Sequence, residues 1–258
     1  MPILRYLRRK WITRRPFPEE WQKTLNDRVP FYPGLSAEIR EKLHRRMIVF
    51  LDEKLFEGCG GLELTEKMRL VVAAHACLLI LEEPSDYYSG LSSILIYPKD
   101  YVAPVYEVAP GGVVTEGWEP RSGESWSPGI IVLSWDDVRR DLRNPSDGRN
   151  LVWHEFAHQL DYRYGLSAGI DPEGTVEHGS EEDEWTTTLS AAYQRLRRKA
   201  RRREQDVLDH YGSVSPAECF AVATECFLEK PRLLQKQYPG LYRGLETFYG
   251  FDPVLILG

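Results

Sequence analysis

Cysteine is scarce in this chain: four residues in 258, Cys59, Cys77, Cys219 and Cys226. Their spacing contains no C-x-x-C and supports neither a disulfide framework nor a cysteine zinc knuckle, so reduced thiols are expected. Long apolar runs are missing too. Val71 to Leu81 is the longest, is interrupted by His75, and falls far short of the ~20 residues that a spanning helix needs. Arginines break every candidate leader in the basic start MPILRYLRRKWITRRPFPEEW. Nor is there a positive excess: 33 Lys and Arg against 39 Asp and Glu leave a formal charge of −6, so affinity for nucleic acid or acidic lipid cannot rest on overall charge. These absences point to a soluble cytoplasmic protein with no membrane partner and no direct nucleic-acid partner.

What is present is enough for a sizeable core. Hydrophobic residues make up 42% and charged residues 28% of the chain, and no repeat or low-complexity linker divides it. We therefore expect a basic N-terminal tail over residues 1–20 and one domain over 21–258. Ile39, Leu43, Met47, Phe50 and Leu51 recur at helical steps and predict a helix over Ala37–Phe56, ended by Gly58–Gly61. Thr65 caps a second helix reaching about Leu81, apolar on nearly every face and so expected to be central. Ser93–Tyr97 and Gly129–Trp135 read as strands, with a third near Gly112–Trp118. Helices follow from Leu151 and over Glu184–Asp209, Ser215–Leu228 and Pro231–Tyr249. A small early sheet followed mostly by helix makes the class α+β, predominantly helical.

Within the helix that opens after Asn150 stands His154-Glu155-Phe156-Ala157-His158, an H-E-x-x-H match. Residues four apart on a helix differ by about 40° in azimuth and about 6 Å along the axis, so both imidazoles can converge on one ion. Glu155, turned by about 100°, can reach a water on that ion without ligating it. The flanking Leu151, Val152, Trp153, Phe156, Ala157 and Leu160 are apolar, and burying two imidazoles and a carboxylate among them is costly unless they are paired or metal-bound. The motif therefore predicts a zincin-like active-site helix.

A catalytic zinc ion takes three protein ligands and keeps one position open. The extended form H-E-x-x-H-x-x-G-x-x-H fails here, because Asp161 and Tyr164 stand where Gly and His are required. A downstream Glu is the natural third ligand. The apolar helix from Ser215 carries Glu218 and Glu225, seven residues apart and almost in line. Glu218 is our candidate ligand, with a capping box Ser215-x-x-Glu218 as the competing role. Glu225 is read either as an ion pair to an arginine or as a carboxylate behind a histidine ligand. Asp161 is likewise either a partner behind a histidine or a solvated helix-end group.

The segments HEFAHQLD (154–161), GIIVLSWDDV (129–138), SPAECFAVATECFLEKP (215–231) and RSGESW (121–126) together resemble the bacterial Mlc titration factor A family of zinc metallopeptidases, from about Leu64 to Pro253. That family in turn is similar to the catalytic domain of anthrax lethal factor. The resemblance implies one zinc ion per chain, held by His154, His158 and Glu218, with Glu155 as general base. Tyr211 falls on a tyrosine expected to face the metal, where a phenol can hydrogen-bond an oxyanion; packing against the next helix is its alternative role. Aminopeptidase-like hydrolysis of a peptide substrate is implied, together with capture of a glucose-responsive transcriptional repressor. Cys219 and Cys226 stand where larger apolar residues are expected, a departure that bears on packing.

The remaining charge patterns are read as structural. Arg195–Arg203 is taken as a solvated helix face balanced by Glu181–Glu184 rather than a nucleic-acid site, and Arg5–Arg15 likewise. His75 is read as a hydrogen-bonded core residue, and His44, His178 and His210 as surface residues. For substrate, an edge strand at Gly112–Trp118 or Gly129–Trp135 could pair with a peptide backbone.

Overall fold

The computed structural model describes residues 2–82, 87–99, 101–108, 114–121, 123–127, 129–176 and 184–257. Helices α1 (Pro2–Ile12), α2 (Glu19–Arg28) and α3 (Ala37–Glu53) lead to strand β1 (Leu55–Gly58), helix α4 (Glu66–Leu79) and strand β2 (Ser93–Tyr97). Strands β3 (Tyr101–Val108), β4 (Val114–Arg121), β5 (Gly123–Ser127) and β6 (Ile130–Ser134) follow, then α5 (Trp135–Arg143), α6 (Leu151–Tyr164) and α7 (Glu184–Arg202). A 3-10 turn, His210–Ser213, precedes α8 (Pro216–Glu229), α9 (Pro231–Gln237), α10 (Pro239–Tyr249) and the short α11 (Pro253–Ile256).

Strand order in the main sheet is β1-β2-β6-β5, with β1, β2 and β6 parallel and β5 antiparallel to β6. Strands β3 and β4 form a separate antiparallel pair. In the parallel register Ile94 faces Ile131 and Ile96 faces Leu133, and all four are buried in the main core. Leu95, Tyr97 and Ile130 pack around Val132 in a second, smaller cluster. Period-two alternation in β2 thus assigns one set of side chains to the helices and the other to the opposite face.

Helix α4 is central: Leu70 to Leu79 are all buried, and Thr65 Oγ1 caps its start by accepting from Met68 N–H. His75 lies within it, its Nδ1 2.8 Å from the Val71 carbonyl. Helices α2, α3 and α6 pack against this apolar helix.

Several boundaries differ from the sequence reading, each for a local reason. The first long helix stops at Glu53, and Leu55–Gly58 becomes a strand because it pairs with Ser93–Ile96; tertiary pairing overrides the helical pattern there. The segment Pro231–Tyr249 is two helices, broken at Tyr238, whose backbone leaves the helical region ahead of Pro239. Helix α7 ends at Arg202, before Arg203 with its positive φ of 55°. Strand β4 covers Val114–Arg121; Gly112, the expected start of that strand, lies outside the described residues, as does His178. Gly129–Trp135 cannot serve as an edge, because β6 is flanked by β2 on one side and β5 on the other.

The basic segments are engaged in ion pairs. In α1, Arg5 and Arg9 both pair with Glu53, and Arg8 pairs with Asp52. In α7, Arg197 meets Glu173 and Lys199 meets Asp206, while Arg195 donates to the Gln237 carbonyl and lies over the Tyr238 ring. Counter-charges for that helix therefore come from Glu173 and Asp206; Glu181–Asp183 lie outside the described residues.

Candidate metal centre

Helix α6 begins where Asn150 Oδ1 accepts from Trp153 N–H at 3.1 Å and ends at Gly165, whose φ of 64° is the left-handed stop that glycine adopts without strain. Val152, Trp153, Phe156, Ala157 and Leu160 are buried, so one side of α6 is locked against α4, α8 and the sheet. His154 and His158 are left at the margin of the core, 12% and 18% exposed at their side chains.

Helix α8 brings the third group. Ser215 Oγ accepts from Glu218 N–H at 3.1 Å and Pro216 occupies the first turn, as half of a capping box requires. The reciprocal half does not form. Instead the Glu218 carboxylate turns to the histidines, its Oε2 3.0 Å from His154 Nε2 and 3.4 Å from His158 Nε2. The two Nε2 atoms are 3.2 Å apart. Three potential ligand atoms thus form a nearly equilateral triangle, and His154, His158 and Glu218 are the group among the described residues with the spacing to hold a metal ion.

Glu225, two turns further along α8, lies behind this triangle. Its Oε1 is 2.7 Å from His154 Nδ1, and its Oε2 accepts from the Asn150 N–H at the start of α6. It therefore orients the imidazole instead of pairing with an arginine. Burial alone would push the His154 pKa down, but the carboxylates of Glu225 and Glu218 override it and raise the value well above the ordinary one. Burial pushes Glu218 up, yet hydrogen bonds from His154 and His158 hold it down at about 2.

Glu155 is only 4% exposed, and its Oε2 has no hydrogen-bond partner among the described residues. Burial raises its pKa, with the two histidines pulling the other way.

Asp161 does not join the site. Its oxygens accept from Ser167 N–H and Ser167 Oγ, both at 2.6 Å, which ties the loop after α6 to the helix end. Of the two roles read for it, these bonds fit the helix-end carboxylate, which is buried rather than solvated. Tyr211 lies on the 3-10 turn, 54% exposed, its ring centroid 5.9 Å from that of His154. Neighbouring Gly212 lets the turn lie close against α7 and α8: a Cβ there would meet Leu196, Val222 and Cys219 at 3.0, 3.2 and 3.3 Å.

Sequence reasoning missed what positions Tyr211. Asp209 Oδ1 accepts from Tyr211 N–H at 2.8 Å, and Asp209 Oδ2 accepts from Arg149 Nε at 2.7 Å. Because Arg149 immediately precedes the Asn150 cap, this pair ties the start of α6 to the tyrosine turn. Asp209 ahead of His-Tyr-Gly-Ser carries a capping signature that was open to reading; its arginine partner, 60 residues away, was not.

Fold and site together define a helical α+β protein built around a His-His-Glu cluster with the spacing to hold a metal ion. The sequence profile of the family described as glucose-regulated metallo-peptidase M90 matches residues 4–250, and the chain belongs to that family. An uncharacterized protein of Synechocystis is 39% identical over 249 residues, 96% of this chain and 90% of its own length. Proteins named Mlc titration factor A are 34% identical in Serratia proteamaculans, over 95% of this chain and 92% of theirs, and 33% identical in Cronobacter sakazakii, over 93% and 89%. No helix among the described residues is long and apolar enough to cross a membrane.

Proposed function

We propose that this chain is a zinc-dependent, aminopeptidase-like peptidase whose metal is held by His154, His158 and Glu218. The donor triangle carries the reading: separations of 3.0, 3.2 and 3.4 Å bracket the ~3.3 Å that ligand atoms of a tetrahedral zinc ion with bonds of ~2.0–2.1 Å would have. Two imidazoles and one carboxylate are also a donor set suited to catalytic zinc, with one position left for water.

When bound, zinc supplies Lewis acidity that polarises a scissile carbonyl and lowers the pKa of water. The chain's own groups handle protons and orientation. Glu155, buried with one free oxygen, takes the proton from the attacking water and returns it to the leaving amine. Glu225 fixes the His154 tautomer by accepting from Nδ1, leaving Nε2 as the ligand atom. Tyr211, beside His154, offers its hydroxyl to the developing oxyanion. Strand β5, at the end of the sheet and packed against α6, is positioned to receive an extended peptide by strand addition. Four unpaired cysteines, three of them buried, fit a reducing cytoplasm.

Glu155→Gln tests the reading. Peptide cleavage should fall by ~10²–10⁴ while metal content by elemental analysis stays at one per chain; undiminished cleavage sinks the mechanism. A second role, capture of a glucose-responsive transcriptional repressor, is supported by the name shared by the Serratia and Cronobacter relatives. The same variant separates the two, since repressor capture should survive it. If the zinc-loaded wild type cleaves no peptide, sequestration becomes the primary function.

A further inference from the structure

At the first turn of α6, lined by none of the three candidate metal ligands, there is a cavity of about 250 Å³. Aromatic rings make one part of its wall. Phe31 and Trp153 each approach His75 to 5.1 Å between ring centroids, and Phe31 and Trp153 are 5.8 Å apart. Two carboxylates, Asp141 and Glu229, line the same space.

The two acids differ in how fully they are used. Asp141 Oδ2 accepts from Leu151 N–H at 2.8 Å, and Oδ1 lies 3.4 Å from an Arg140 guanidinium nitrogen. Glu229 is incompletely satisfied: Oε2 accepts from Gly148 N–H at 2.8 Å and the Asn150 side chain also donates toward the carboxylate, while Oε1 is buried without a close hydrogen-bond partner among the described residues. The nearest cationic side chain along the chain, Lys230, directs its ammonium to the Asp147 carbonyl instead. Leaving a buried carboxylate oxygen unpaired costs free energy unless a donor arrives from outside.

We propose that this cavity binds a small organic cation, an ammonium or guanidinium on an apolar or aromatic body, with the charge on Glu229 and the body against Phe31, His75 and Trp153. Aromatic faces attract cations as well as apolar groups, and a concave, mostly apolar site with a few convergent polar groups is the usual form of a small-molecule pocket. Anions are disfavoured by the two acids. Burial raises Glu229 to about 8 against the lowering effects of the Gly148 N–H and the Asn150 side chain, so near neutral pH the free group is largely protonated and an arriving cation favours its ionised form. The proposal stands independently of peptidase activity.

The test is calorimetric titration of the full chain with benzylamine and with its neutral isostere benzyl alcohol. Benzylamine should saturate one site with Kd on the order of 1 mM or tighter, and benzyl alcohol should bind at least ~10-fold more weakly. Glu229→Gln keeps an acceptor for Gly148 N–H and should lose at least ~10-fold in benzylamine affinity with unchanged circular dichroism. Leu257→Trp, at the partly exposed C-terminal lining of the cavity, should block binding by filling the space, and it serves if Glu229→Gln does not fold. Amine captured at the metal centre would survive both substitutions. Absence of saturation up to ~10 mM, or equal affinity in either folded variant, overturns the proposal.

Discussion

His154 Nδ1 lies 2.7 Å from Glu225 Oε1, and the other oxygen of the same carboxylate accepts from the backbone N–H of Asn150. One side chain of α8 thereby sets both the imidazole orientation and the position of the helix start that carries it. A ligand imidazole held in this way loses rotational freedom before metal arrives and keeps Nε2 free to coordinate.

Replacing Glu225 should therefore damage metal binding without removing a ligand. Glu225→Gln is expected to weaken zinc affinity by ~10–100-fold, read by competition with a chromogenic chelator. Glu218→Ala, which removes a proposed ligand, should weaken it further. Retention of full zinc in Glu218→Ala would move the third ligand elsewhere.

Tyr211 should matter to rate and little to metal content. Tyr211→Phe is expected to lower kcat by ~10²–10³, the range for loss of one oxyanion donor, with KM and zinc stoichiometry nearly unchanged. Asp209→Ala removes the acceptor for Tyr211 N–H and the partner of Arg149, so it should reproduce part of that loss. When both are combined, the losses should be less than additive. Full additivity would mean that the turn does not act through the tyrosine.

Metal removal should leave the fold standing. Without an ion, His154 remains bonded to Glu218 and Glu225, and the apolar contacts of α4, α6 and α8 are untouched. Chelation is expected to preserve far-ultraviolet circular dichroism while lowering the thermal midpoint by several degrees, since an ion bound only to the folded state adds stability by mass action. Unfolding on chelation would make the metal structural.

Stability should also carry a pH signature from Glu229. Its folded pKa of about 8 lies above the ~4.3 of an unfolded chain, so between those values the folded state binds more protons. Stability then falls as pH rises through that window. Between pH ~5 and ~8.5 the thermal midpoint of the wild type should drop more than that of Glu229→Gln. Parallel slopes would show that Glu229 titrates normally.

Local chemistry makes α6 and its motif legible in the sequence. Asn150 as cap, Gly165 as stop, apolar flanks and two histidines four residues apart all lie within sixteen consecutive residues, and each acts through neighbours on the same helix. Glu218 was readable as a candidate for the same reason, since Ser215 and Pro216 place it in the first turn of α8. What could not be read locally was the destination of its carboxylate: capping box and metal site are equally reachable from that position, and only the packing of α8 on α6 chose the histidines.

The same division explains the rest. The amino-acid order determined the helical class, the central burial of α4 and the residues capable of metal chemistry, because periodicity, capping and burial cost are set by near neighbours. Tertiary structure decided that Leu55–Gly58 is a strand, that β6 is interior, that Glu225 and not Asp161 stands behind His154, and that Arg149 reaches Asp209. Each depends on groups tens of residues apart, whose meeting is fixed by how whole elements pack.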